Sequence, residues 1–359
     1  MSTYKILIIG GDGIGPEVCK IGKAVLESIA TQFGHSFIFE NALMGHCAIQ
    51  STGQPLPPET LHKAKNCDAI LFGAIGDPSY DNNPLATVRP EQGLLQIRSQ
   101  LGLFANLRPI QIFPELSGAS PLKPEIIANT DILFYRELTG GIYFGTPRER
   151  RNNGELAVDT CLYTKEEVRR IAIMAFEGAR LRRKKLTSVD KSNVLETSRL
   201  WKEVVNEVAV NYPDIELEHQ LVDSMAMKLI SNPSQYDVVL TENLFGDILT
   251  DEASQIAGSL GMLASASIGS SVGLFEPIHG SAPDIAGQDI ANPLATVLSV
   301  ALLLKMGLGL VKESELVQQS VSRTLAQGWL TLDIKDQNTL PEKILGTSQM
   351  GQKILLNLQ

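Results

Sequence analysis

Two aspartates, Asp247 and Asp251, stand four residues apart in the run Gly246-Asp-Ile-Leu-Thr-Asp-Glu252. On a helix that spacing stacks both carboxylates on one face. Like charges so placed cost a helix about 0.2–0.5 kcal/mol. A divalent cation is the natural compensation, because hard cations such as Mg²⁺ take oxygen ligands, usually one or two carboxylates with water and substrate. Taken alone, the pair fits a solvated acidic face better. Other polar residues tip the balance towards a metal. Arg136 closes the apolar run Ile132–Tyr135, Lys191 follows Val189-Asp190, Asp223 follows Leu221-Val222, and Asp247 comes soon after Val238–Leu240. Those runs read as strands, and open α/β sheets bind ligands beyond the carboxyl ends of their strands. Arg98 and Arg108 flank Gln100–Leu107. Arginine's planar fork grips carboxylates bidentately, so both are candidates for holding an acidic small molecule.

The elements that must position these side chains alternate. Short apolar runs at Ile6–Ile9, Phe37–Phe39, Ala69–Phe72, Leu186–Val189 and Val238–Leu240 predict strands, as does the alternation of Ile215, Leu217 and Leu221. Between them run segments of helical period. Pro16 suits a helix N1 position, with Val18, Ile21, Val25 and Ile29 on one face. Helices are also predicted near Pro57–Lys65, from Pro90 through Arg98, over Leu195–Asn211, Glu242–Leu260 and Pro293–Met306. Thr164-Lys-Glu-Glu167 is a capping box opening a helix to about Arg183. Arg108 is expected to end the strand after Arg98. The pattern argues an α/β fold with a largely parallel sheet. Gly140–Cys161, rich in Gly, Asn and Arg, breaks it and suggests an arm or dimerisation element.

Composition bounds the partners. The chain has 359 residues, 43% hydrophobic and 20% charged, with net charge −9. That suits two globular domains and argues against nucleic acid or an anionic membrane as partner. Cysteines at 19, 47, 67 and 161 match neither a zinc site nor a disulfide framework and are expected to be buried, reduced thiols of a cytosolic protein. No apolar stretch reaches the roughly 18 residues a membrane span needs, and Met1–Lys5 runs into a strand without signal-peptide architecture.

Three glycine-rich segments need sorting. Gly10–Pro16 follows the first strand but fails G-x-G-x-x-G, since counting from Gly11 the last position is Pro16. A tight turn is the better reading. Gly269-Ser-Ser-Val-Gly273 matches G-x-S-x-G, but no helix follows the serine, so a nucleophile elbow is excluded. His279-Gly-Ser-Ala-Pro-Asp-Ile-Ala-Gly287 could let backbone N–H groups approach a ligand, with its acid accepting ribose hydroxyls.

Taken together these segments resemble the β-decarboxylating dehydrogenases of the isocitrate/isopropylmalate group, most nearly their isopropylmalate branch. The resemblance covers nearly the whole chain. It runs through Gly11–Glu17, Arg89–Arg98, Phe104–Pro109, Arg136–Gly145, Asp190–Glu196, Asn243–Asp251 and His279–Gly287. It implies a two-domain fold without a G-x-G-x-x-G Rossmann loop. The first, discontinuous domain would be 1–103 with 258–359, and the second 104–257, with the arm at about 140–161. It implies that Arg98, Arg108 and Arg136 hold the malate carboxylates. Asp223, Asp247 and Asp251 would hold Mg²⁺ or Mn²⁺, with Asp223 also at the substrate. Lys191 would be the base for the hydroxyl and Tyr143 the acid that protonates the enol carbon. His279, Gly280, Ser281, Ala282, Pro283, Asp284, Ile285, Ala286, Gly287 and Asn292, with Glu91, would hold the cofactor. Relatives are homodimers in which Lys191 and Asp223 come from the other subunit, and many use a monovalent cation, a requirement the sequence leaves open.

Two finer expectations follow from matched positions. Asp284 would repel a 2′-phosphate where NADP-using relatives place a basic residue, which implies NAD. Leu94 and Leu95 stand where isocitrate-using relatives place polar residues; burying a third carboxylate against them is costly. With Val194 as a third wall they suit an isopropyl group, so the implied reaction is oxidative decarboxylation of 3-isopropylmalate to 4-methyl-2-oxopentanoate and CO₂, in leucine biosynthesis in the cytoplasm. Relatives acting on D-malate, tartrate or homoisocitrate, and a catalytically silent subunit, are the alternatives. Two departures stand out: Glu242, where relatives commonly have a small residue, and Gln288-Asp289, which replaces a commonly basic stretch.

Overall fold

The computed structural model describes residues 2–81, 83, 86–270 and 272–359. Ser271, the serine of the G-x-S-x-G match, and Met1 lie outside them. The strands are β1 (Thr3–Gly11), β2 (Ser36–Ala42), β3 (Ala69–Ala74), β4 (Leu103–Gln111), β5 (Asp131–Glu137), β6 (Arg148–Arg151), β7 (Leu156–Asp159), β8 (Lys185–Asp190), β9 (Glu216–Leu221), β10 (Val238–Thr241), β11 (Ala264–Gly269) and β12 (Gly273–Pro277). The chain divides into two compact units, one of Met1–Leu103, Phe113–Ser120 and Ala257–Gln359, the other of Phe104–Ile112 and Pro121–Ile256. Phe113–Ser120 is assigned to the first unit, where the backbone at Gly118 passes close to the Asp336 side chain.

In the first unit the sheet order is β2-β1-β3-β12-β11, with only β11–β12 antiparallel. Every residue of β3 is buried, as a strand covered on both faces requires. The helix Gly15–Phe33 lays Val18, Ile21, Val25 and Ile29 inward. Each such side chain contributes about 1.5–3 kcal/mol on full burial. The second unit has order β4-β5-β10-β8-β9, with only β4–β5 antiparallel. The capping box forms as expected: Glu167 donates its N–H to Thr164 Oγ1, and the Thr164 N–H donates to the Glu167 carboxylate. That helix ends at Arg180 rather than Arg183, before Lys184 adopts positive φ.

Other boundaries differ for local reasons. Arg108 sits inside β4, which runs on to Gln111 because it pairs with all of β5. The helix expected over Glu242–Leu260 spans Asn243–Ser254, and a turn follows to Gly258, whose φ of +92° suits glycine. The helix Leu294–Leu302 continues as a wide turn over Leu303–Gly307. The cysteines are free, but only Cys19 is buried; Cys161 is exposed. Burial raises the Cys19 thiol to about 12. Among the described residues no helix is long and apolar enough to cross a membrane.

Candidate active site

In the second unit, β4, β5 and the helix Asn243–Ser254 bring four of the expected residues to one place. Arg108 and Arg136 are neighbours by way of the β4–β5 pairing, in which Asn106 faces Arg136 and Arg108 faces Phe134. Both guanidinium groups are buried. Asp247 and Asp251 lie one turn apart on the helix, as their spacing requires. Arg136 pairs directly with Asp247, and Arg108 reaches Asp247 at 3.5 Å and Asp251 at 3.7 Å. Within this chain two arginines therefore compensate the carboxylate repulsion that the spacing alone assigns to a cation. Burial raises the Asp251 carboxyl above its ordinary value, opposed by Arg108 and reinforced by Asp247.

Tyr143 joins this group from the short turn Gly141–Tyr143. Its hydroxyl donates to Asp247 Oδ2 at 2.9 Å, and the Arg136 guanidinium lies 5.9 Å from the ring centroid. Burial, then the Asp247 charge and hydrogen bond, raise the phenol above 10, while Arg136 and Arg108 pull it down. It is held as a proton donor.

Lys191 and Asp223 form a second cluster in the same unit. Lys191 follows β8, Asp223 opens the helix Val222–Ser231, and Lys191 Nζ donates to Asp223 Oδ1 at 2.7 Å. This bond holds the Asp223 carboxyl below the usual range. Among the described residues no three His, Cys, Asp or Glu side chains are grouped to hold a metal, so one chain does not assemble the three aspartates as a triad. Asp247 and Asp251 alone still present the carboxylate pair that a hard cation accepts alongside water and substrate. Val194 is 60% exposed.

The first unit carries the rest. Arg98, on the helix Glu91–Gln100, is buried and donates to Glu276 on β12 at 2.8 Å, while its Nε is buried without a partner among the described residues. Leu94 packs against the core around Phe72 and Leu103, and Leu95 is half-buried. Glu91 is exposed; a Cβ at Gly76 would lie 3.1 Å from its carboxylate.

The loop from His279 to Gly287 is fastened at its base. Ile14 N–H donates to Ser281 O at 2.8 Å, and a Cβ at Gly13 would strike that carbonyl at 1.9 Å. The Gly10–Pro16 segment is thus a close-packed turn. Gly287 N–H donates to Glu17 Oε1 at 3.2 Å. Above this base the loop is open: Asp284 and Gly280 are exposed, with free space at Gly280 and Gly287. His279 Nδ1 faces Gly280 O at 2.9 Å, which makes Nδ1 the donor and leaves Nε2 a buried acceptor with no partner among the described residues. Burial lowers its pKa, favouring the neutral ring. An orphaned acceptor, open glycines and an exposed carboxylate fit a hydroxyl- and amine-bearing ligand. Asn292 is buried and spent on structure: Oδ1 accepts from Leu294 N–H at 3.0 Å and Nδ2 donates to Asp333 at 3.1 Å.

Several residues passed over in the sequence are structurally central. Asp12 accepts backbone N–H groups of His46, Cys47 and Gly76 at 2.9–3.0 Å, tying the glycine turn to the end of β3. Glu276 partners Arg98, and Asn243 holds Arg136. Glu242, noted as a departure, is buried beside Ser198, which donates to it; burial pushes its carboxyl up to about 7.

Comparison with known proteins agrees with this architecture. The family model described as isocitrate/isopropylmalate dehydrogenase matches residues 5–354. A 3-isopropylmalate dehydrogenase of Heyndrickxia coagulans is 53% identical over 356 residues, covering 99% of this chain and 96% of that protein. One of Shouchella clausii is 58% identical over 333 residues, 92% of this chain and 91% of its own length. Among solved structures, an isocitrate dehydrogenase from Methylococcus capsulatus has a TM-score of 0.86 at 31% identity, covering 99% of each chain. A β-decarboxylating dehydrogenase from Thermococcus kodakarensis has a TM-score of 0.78 at 36% identity, covering 99% of this chain and 96% of its own. The chain belongs to the isocitrate/isopropylmalate dehydrogenase family.

Proposed function

We propose that the protein oxidises and decarboxylates (2R,3S)-3-isopropylmalate to 4-methyl-2-oxopentanoate and CO₂ with reduction of NAD, a step of leucine synthesis. The observation that carries this reading is the cluster of Arg108, Arg136, Tyr143 and two aspartates on one face, in a chain 53% identical over nearly its full length to a protein named for that reaction.

Arg108 and Arg136 bind the malate carboxylates, exchanging part of their pairing with Asp247 for the substrate. The family resemblance gives Arg98, whose Nε is buried without a partner among the described residues, a role towards a substrate carboxylate as well. Asp247 and Asp251, with Asp223, hold Mg²⁺ or Mn²⁺. Bound there, the metal supplies Lewis acidity where enolate charge develops. Lys191 takes the hydroxyl proton. Tyr143 returns a proton to the enol carbon. The 279–287 loop would hold the adenosine half of a nicotinamide cofactor, which would supply the hydride acceptor. Asp284 accepts from ribose hydroxyls there and rejects a 2′-phosphate by charge repulsion.

We assign the working form as a homodimer in which Lys191 and Asp223 serve the site of the other subunit. Two observations support this. The Lys191–Asp223 pair makes its own bond away from the carboxylate pair. The β6–β7 hairpin exposes every strand residue except the half-buried Val158, and an isolated two-stranded hairpin is marginal in water. Leu95 carries the isopropyl preference more than Leu94, which is partly used by the core. The test is to incubate purified protein with 3-isopropylmalate, NAD and Mg²⁺ and follow NADH and CO₂ together, with and without chelator. Equal release of both, lost in EDTA and restored by Mg²⁺ or Mn²⁺, is the expected result. NADH without CO₂, or full activity in chelator, overturns the reading.

A further inference from the structure

We propose that Asn243 is a positioning residue that sets Arg136 and Tyr143 in register with each other; this deepens, and rests on, the function proposed above. Asn243 is 1% exposed, and each polar group of its side chain is used. Its Oδ1 accepts from Arg136 Nη2 at 2.8 Å and Nε at 3.2 Å, while its backbone carbonyl accepts from the same Nε at 2.9 Å. Its Nδ2 donates to Gly140 O at 3.2 Å. Gly140 lies three residues before Tyr143. One amide therefore joins the guanidinium proposed to grip a substrate carboxylate to the turn that carries the proposed acid.

The surroundings make that link rigid. Asn243 N–H donates to the hydroxyl of Tyr163 at 2.8 Å. The Tyr163 side chain fills the space beside the turn so closely that a Cβ at Gly140 would lie 2.6 Å from its ring and one at Gly141 2.5 Å from its hydroxyl oxygen. Buried Glu137 accepts N–H groups of Thr139 and Gly140 at 2.7–3.0 Å, fixing the entry to the turn. Asn243 is also the first residue of the helix bearing Asp247 and Asp251. Without the Asn243 side chain Arg136 and Tyr143 would still share Asp247, but the guanidinium and the Gly140 end of the turn would each lose a tie, and about 1 Å of misplacement can cost on the order of a hundredfold in rate.

The two arms of the amide can be cut separately. Asn243→Asp keeps an acceptor for Arg136 but replaces the donor to Gly140 with a second acceptor. Expected is a kcat lowered about tenfold or more with a smaller change in KM for 3-isopropylmalate; the new carboxylate is paired with Arg136 and stays ionised, so the loss does not depend on pH. Asn243→Ala cuts both arms: kcat falls and KM for substrate rises by roughly tenfold, while KM for NAD stays put. Should the alanine variant fail to fold, the aspartate variant, which keeps the volume, carries the test through its split of kcat from KM. Equal changes of kcat and KM in both variants, or wild-type kinetics with only a lowered melting temperature, would overturn the proposal. A wild-type protein inactive on 3-isopropylmalate but active on another 2-hydroxy acid would instead sink the substrate reading; the kcat and KM split is then read on that substrate and decides the role of Asn243 by itself.

Discussion

Replacing Tyr143 with Phe separates chemistry from stability. The hydroxyl makes a 2.9 Å bond to Asp247 Oδ2, and Asp247 keeps both arginines when it is gone. Losing one hydrogen bond to a charged, arginine-supported acceptor costs the fold about 1–2 kcal/mol. Losing a general acid costs about 10²–10⁴ in rate, or about 3–5 kcal/mol of barrier. The Phe variant should therefore fold and bind substrate with KM close to wild type while kcat drops at least about a hundredfold. The acid works only when protonated, and burial with the Asp247 charge raises its pKa above 10. Wild-type turnover should thus show no alkaline loss attributable to Tyr143 below that value. Steady-state kinetics across pH, with a thermal melt as control, reads both. A Phe variant whose kcat stays within about threefold of wild type would refute the acid assignment.

Lys191→Ala should collapse turnover while NAD binding, followed by fluorescence or calorimetry, is largely kept; normal turnover would remove Lys191 from the chemistry. Asp284→Lys should move the NAD to NADP preference towards NADP in kcat/KM, and an unchanged ratio would contradict the charge argument. Glu242→Gln tests a buried carboxyl. Unfolded it titrates near its ordinary value of 4.5 and folded at about 7, so the native state holds more protons between those values and loses stability as pH rises through them. The wild type should give up to on the order of 3 kcal/mol by the time the group is ionised. The Gln variant should accordingly melt higher than wild type at mildly alkaline pH, with the gap closing in mild acid; a pH-independent gap would show that the carboxyl is not strained.

Much of the scaffold was legible because its signals are local. The capping box at Thr164–Glu167, the face of Val18, Ile21, Val25 and Ile29, and the i,i+4 placement of Asp247 and Asp251 each depend on helical period alone, and each is present in the structure. Where helices stop was harder, since Gly258 or Lys184 act through backbone conformations that their neighbours impose. The site was legible as a set of residue types after strands, and the family match made it specific. What the sequence hid is mutual support. Glu276 beneath Arg98, Asn243 beneath Arg136 and Glu137 beneath the Tyr143 turn are single polar residues with no period or motif, brought to their partners by tertiary contact over long chain separations or by a turn. The compensation of Asp247 and Asp251 by Arg108 and Arg136 was likewise invisible to helix spacing.

The central claim is tested most directly by following NADH appearance with purified protein, NAD and Mg²⁺ on 3-isopropylmalate, D-malate, isocitrate and tartrate in parallel. A kcat/KM for 3-isopropylmalate well above the others is the predicted result. A preference for isocitrate or another of the more polar acids would keep the oxidative decarboxylation but contradict the reading of Leu95 and its surroundings as an isopropyl pocket.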